Sequence, residues 1–117
     1  RGLIVTGVQT CALPISALEI RKRLADTNPQ AYEPLLADSY NNLALLYSKT
    51  QHFAESEKMY KSSLEIRKRL ADANPQAYEP SLADSYNNLA LLYNATLYIC
   101  SLSVKRWVIL YKSAKLL

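Results

Sequence analysis

Few side chains in this 117-residue chain could perform covalent or acid–base chemistry, and their spacing does not assemble them. His52 is the single histidine, with no nucleophile or carboxylate placed beside it by the sequence, and it reads as a surface turn residue. The two cysteines, Cys11 and Cys100, form neither a CxxC pair nor a metal-ligand spacing. A disulfide framework is therefore not expected, and a reducing, cytoplasmic compartment is the default. A Gly-rich phosphate loop, a Ser–His–Asp set and a metal cluster are all missing from the sequence, and the carboxylates are spread along stretches that read as helix surface. Catalysis needs such groups converging in a pocket, so no enzyme activity, cofactor or metal is expected. The chemistry on offer is recognition. Asn41-Asn42 recurs as Asn87-Asn88, and an amide side chain donates and accepts at once, so it can hold the backbone of an extended peptide whatever its side chains are. The same amides could equally cap local backbone or bridge neighbouring helices.

Those asparagines sit inside "LADSYNNLALLY", which begins at Leu36 and again, letter for letter, at Leu82. Aligning the chain on itself at a shift of 46 pairs residues 18–47 with 64–93; 28 of the 30 pairs are identical, the exceptions being Thr27 against Ala73 and Leu35 against Ser81. A period of this length signals stacked supersecondary units. With two glycines, both among the first seven residues, tight turns of positive φ are few and helices are favoured over hairpins. Leu36, Tyr40, Leu43 and Tyr47 step by 4, 3 and 4 and make one helical stripe, with the small residues Ala37 and Ala44 beside it. Pro34 stands where the start of that helix would tolerate a missing N–H. A second helix is predicted from about Phe53 to about Ala71, with Phe53, Tyr60, Leu64 and Ala71 as its stripe, acidic residues near its start and Arg67, Lys68 and Arg69 near its end. "DANPQAYEP" reads as the break between units, with Asp26 and Asp72 as turn formers.

Tyr40-x2-Leu43-Ala44-x2-Tyr47, followed by Ser56-x3-Tyr60 and Ser63, resembles the tetratricopeptide repeat pattern in every spacing. Ser56 and Ser63 stand where that family usually has Ala. The unit is longer than the usual ~34 residues, and with its "NNLA" step it is similar to the kinesin-light-chain-like branch. The resemblance implies an all-α solenoid of helix-turn-helix units, here a fragment of a longer array whose near-identical tandem copies suggest recent duplication in a bacterial parent. It also implies a concave wall, lined by the first helix of each unit, that binds a peptide or a partner's helix. By position, the inward residues would be Asp38, Asn41, Asn42, Leu45, Ser48 and Lys49, then Asp84, Asn87, Asn88, Leu91 and Asn94. Asp and Asn stand where the co-chaperone branch grips a C-terminal carboxylate with Lys and Arg, so a peptide of basic or neutral character fits better.

The net charge of +4 is not spread over the repeats. Residues 17–94 hold all ten acidic side chains and nine of the fourteen basic ones. The excess lies at Arg1 and at Lys105, Arg106, Lys112 and Lys115, a poor footprint for nucleic acid. The two ends depart from the repeat. Residues 5–16, "VTGVQTCALPIS", resemble the translation of a common short-read sequencing adapter, so 1–16 is expected to be a non-native segment. Residues 17–95 form the repeat region. Residues 96–117 read as a degenerate or frame-shifted helical segment that could cover the preceding pair, and Lys105 and Arg106 interrupt its apolar run too centrally for a membrane span.

The reading is a non-catalytic protein–protein interaction scaffold. Alternatives are a regulatory or sensor segment of a larger signalling protein and a helical-repeat nucleic-acid binder; neither nucleic acid nor membrane is the expected partner. Because stacked units bury their faces on neighbours and about three are needed for stability, a fragment alone is expected to be weakly stable or to self-associate through its exposed repeat ends.

Overall fold

The computed structural model describes residues 7–116, with side chains from Ala12 onward. Residues 1–6, the start of the segment read as adapter-derived, and Leu117 lie outside the described residues, as does the Cys11 side chain. Four helices follow one another: α1 (Gly7–Thr27), α2 (Pro29–Lys49), α3 (Phe53–Ala73) and α4 (Pro75–Leu116). No strand occurs among the described residues. Each helix packs on the next in chain order, α1 on α2, α2 on α3 and α3 on α4.

The 46-residue period is filled by two helices of 21 residues with links of three residues and one. The single-residue link corrects the expected break. Asn28 and Asn74 alone separate helices, with φ/ψ of −146/82 and −146/83. Their side-chain carbonyls accept from the amides of Ala31 and Ala77, both at 3.3 Å. Pro29 and Pro75 open the next helices, where a missing N–H costs nothing. "PQAYEP" is therefore the first turns of a helix, Pro34 and Pro80 lie inside it, and the extra length of the unit extends the first helix as well as the second. Asp26 and Asp72 stand in the last turns of α1 and α3 and not in turns between helices. The three-residue link Thr50–His52 turns α2 into α3; Gln51 takes φ 62, the left-handed region that favours glycine.

The α2/α3 pair is close-packed through small residues. Ala37, Ala44, Ser56 and Ser63 are each fully buried. The Ser56 hydroxyl donates to the Ala44 carbonyl at 2.7 Å and the Ser63 hydroxyl to the Ala37 carbonyl at 2.8 Å. A hydroxyl at these points keeps the helices near each other and leaves no polar atom unpaired. Around them Leu36, Leu43, Leu18, Ala25 and Ile66 form one core, with Tyr40, Tyr47 and Ile15 half-buried against it. Ala44, Tyr60 and Leu92 form a second, flanked by Phe53 and Leu89. Leu64 is only half-buried, and Ile66 takes the core position expected of it.

The terminal segment is helical and does not fold back. It continues α4 without a break to 42 residues, about 63 Å at 1.5 Å per residue, which sets the molecule's 66 Å long axis. Leu102, Val104, Trp107 and Leu110 remain exposed along it.

Candidate peptide-binding face

The candidate residues are carried by α2 and the first half of α4, helices whose stretches Leu36–Tyr47 and Leu82–Tyr93 are identical. The structure joins the two through the asparagines: Asn88 Nδ2 donates to Asn41 Oδ1 at 2.9 Å, and both residues are half-buried. One bond of this kind uses one of an amide's several donor and acceptor positions. Asn42 and Asn87, their counterparts in the other unit, are exposed.

Leu45 and Leu91, equivalent in the two units, are 44% and 63% exposed. Asn42, Leu45 and Lys49 line an open cleft of about 380 Å³ together with Leu46 and Pro14 of α1. Asp38 and Asp84 are exposed, but Asp38 is also engaged, its carboxylate meeting the Arg67 guanidinium at 2.7 Å. It borders a second cleft of about 220 Å³ with Tyr78 and Arg67. Ser48 is half-buried and Asn94 exposed.

Sequence reasoning placed Arg67 only among the basic residues near the end of its helix; in the structure it contacts two other helices. It is 8% exposed. Its Nη1 donates to the Ser81 carbonyl at 3.0 Å and the Ser85 hydroxyl at 2.8 Å, while Nη2 holds Asp38. One side chain of α3 thus ties α2 to α4. Forty-six residues earlier, Arg21 donates to the Leu35 carbonyl and the Ser39 hydroxyl, the same two positions of the preceding unit. The planar guanidinium supplies several donors in one fork, which Lys cannot do. The signal was present in the sequence: each "RKR" recurs at a fixed distance from a "DS" step, and only the first Arg of the triplet falls on the buried face. The third, Arg69, bridges Glu33 at 2.7 Å.

Charge elsewhere is ordinary. Glu57 is held below the usual carboxylate range by its hydrogen bonds with Lys61 and Tyr93, and Lys61 is raised by the same pair. Burial pushes the Tyr60 phenol up. His52 stands at the N-cap position of α3 at the surface without a side-chain capping bond, its Nδ1 2.9 Å from the Thr50 hydroxyl. Among the described residues no group of three or more His, Cys, Asp or Glu side chains could hold a metal, and no helix is long and apolar enough to cross a membrane. The arrangement offers a stripe of amides, two exposed leucines and scattered charges on adjacent helices, which suits non-covalent contact with a polypeptide.

Residues 36–76 match a family model described as tetratricopeptide repeat. Repeats of this family generally mediate protein–protein interaction and are typically non-catalytic. Searches of curated proteins and of solved structures gave no match.

Proposed function

We propose that this chain, whose residues 36–76 belong to the tetratricopeptide repeat family, is an interaction scaffold that holds a peptide or a partner's helix across α2 and α4. The observation that carries this reading is the pair Leu45 and Leu91. Each unit leaves one large apolar side chain exposed at the same position, flanked by amides, on two helices held side by side by the Asn88–Asn41 bond. An apolar anchor with amides beside it is how an extended chain is held without reading every residue, the leucine supplying burial and the amides satisfying backbone groups that binding takes out of water. Asp38, Asn41, Asn42, Lys49, Asp84, Asn87 and Asn88 complete the face. The repeat region 17–95 carries this function, and residues 1–16 and 96–117 stand outside it.

Selection of random peptides on the intact chain, followed by affinity measurement on Leu45→Glu and Leu91→Glu variants, tests the reading. Selected peptides are expected to lose at least tenfold in affinity on either variant while the far-UV spectrum and melt are retained. Peptides that bind both variants as well as the parent would overturn it. The nucleic-acid alternative expects tight, salt-steep binding of random RNA instead. Arg67 and Arg21 donate to carbonyl and hydroxyl groups of the neighbouring helices.

A further inference from the structure

The two ends of the stack carry the two halves of one interface. On α2, Ala37 and Ala44 are fully buried by α3; their copies on α4, Ala83 and Ala90, are exposed. On α3, Ile66 is 7% exposed where it packs beside α2; its copy on α1, Ile20, is 49% exposed. Among the described residues, then, α4 begins as a first helix with no second helix of its own unit packed on it, and α1 is a second helix with no first helix of its own unit packed on it. They also match in length, since α1 (Gly7–Thr27) and α3 (Phe53–Ala73) begin and end 46 residues apart, and from residue 18 to its end α1 repeats α3 except at Thr27.

We infer that a second copy of this chain docks head to tail, residues 18–27 of α1 in one copy packing on α4 of the other as residues 64–73 of α3 pack on α2. Charge complementarity is written into the same repeat. Arg69 meets Glu33, and Arg67 meets Asp38, each at 2.7 Å within the chain. Shifted by one period, the partners become Glu79 and Asp84 on α4 and, on the next copy's α1, Arg23 and Arg21. None of the ion pairs among the described residues uses these four. Arg21 already grips Leu35 and Ser39 through Nη1, as Arg67 grips Ser81 and Ser85, so the bond to Asp84 of the neighbour completes a fork whose other prongs are in place. The contact joins unlike surfaces, and each added copy exposes a fresh α4, so it propagates as an open chain and does not close into a dimer. This inference is independent of what the inner face binds.

Sedimentation velocity of the intact chain over a wide concentration range tests it. The expected result is a mass that keeps rising through successive multiples. Ala83→Arg, placed at an exposed residue whose copy Ala37 is fully buried, should weaken association at least tenfold without lowering helicity. Glu79→Arg and Arg23→Glu should each weaken it several-fold, and an equimolar mixture of the two should recover it, because alternating copies then oppose unlike charges at every junction. Two results would overturn the inference. One is a monomer at all concentrations, as when the residues beyond Thr96 fold back over α4. The other is a closed dimer indifferent to Arg23→Glu, as in symmetric α4 pairing.

Discussion

At the residue scale, the fold rests on polar groups placed where an apolar reading would put none. Ser56 and Ser63 occupy positions that small size alone would explain, yet each donates to a carbonyl on the facing helix. Ser56→Ala and Ser63→Ala should each cost about 0.5–1.5 kcal/mol, the usual net worth of such a bond, read as a lower urea midpoint with unchanged slope. Val at either site should cost about 1–3 kcal/mol by overpacking. Arg67→Lys should lose about 1.5–3 kcal/mol, since one ammonium cannot replace bonds to Ser81, Ser85 and Asp38 together; stability equal to the parent would contradict the clamp. Tyr60 gives a pH signature. Burial raises its pKa, so the fold favours the neutral phenol. That contribution is complete below the ordinary phenol value of about 10 and is lost as pH climbs through the raised native value, because the unfolded chain ionises first. Tyr60→Phe should flatten the alkaline fall in stability and leave pH 7 nearly unchanged. None of these roles was open to composition. The serines could be placed by spacing, but their acceptors lie 12 and 26 residues away. Arg67 read only as a basic residue near a helix end, because burial of a guanidinium depends on three helices meeting around it.

At the element scale, the apolar stripes were legible and the helix ends were not. Leu36, Leu43 and Tyr60 are buried as their spacing required, because period 3.6 survives any tertiary arrangement. The start of α2 was misplaced by several residues because a run with two prolines reads as a break. In fact Asn28 caps and Pro29 occupies the first position, so the same residues start a helix. Asn74→Ala should cost about 0.5–2 kcal/mol through loss of the cap, and Gln51→Gly should gain up to about 1 kcal/mol by relieving a left-handed φ. The tail of α4 shows the converse limit. Its helicity could be foreseen, but its direction could not, since a continuous helix and a folded-back one share the same propensities. Its residues beyond Thr96 bury little, so amide exchange there should be far faster than in α2. Tryptic cleavage at Lys105 or Arg106 should leave the melting temperature of the remainder within a degree or two. Protection of the tail equal to that of α2 would show that it packs.

At the scale of the whole molecule, one period explains both what is held and what is left open. Repetition gives Arg21 and Arg67 the same two acceptor positions and Asn28 and Asn74 the same capping bond, so contacts seen in one unit recur in the next. It also leaves Ile20 on α1 and Ala83 and Ala90 on α4 exposed where their copies are buried. The candidate face could be assigned from the sequence only by resemblance, since no single residue in it has chemistry that demands a ligand; the structure adds that two of its asparagines bind each other across the units. The central claim is that the two copies of the Tyr-Asn-Asn helix stand side by side within one chain and leave a shared inner wall. Cysteines at Asn41 and Asn88, in a background carrying Cys11→Ser and Cys100→Ser, treated at high dilution with a short bis-maleimide, test it most directly. A rapid cross-link within the monomer, abolished by urea, is the expected result; cysteines that link no faster in the native chain than in urea would contradict it.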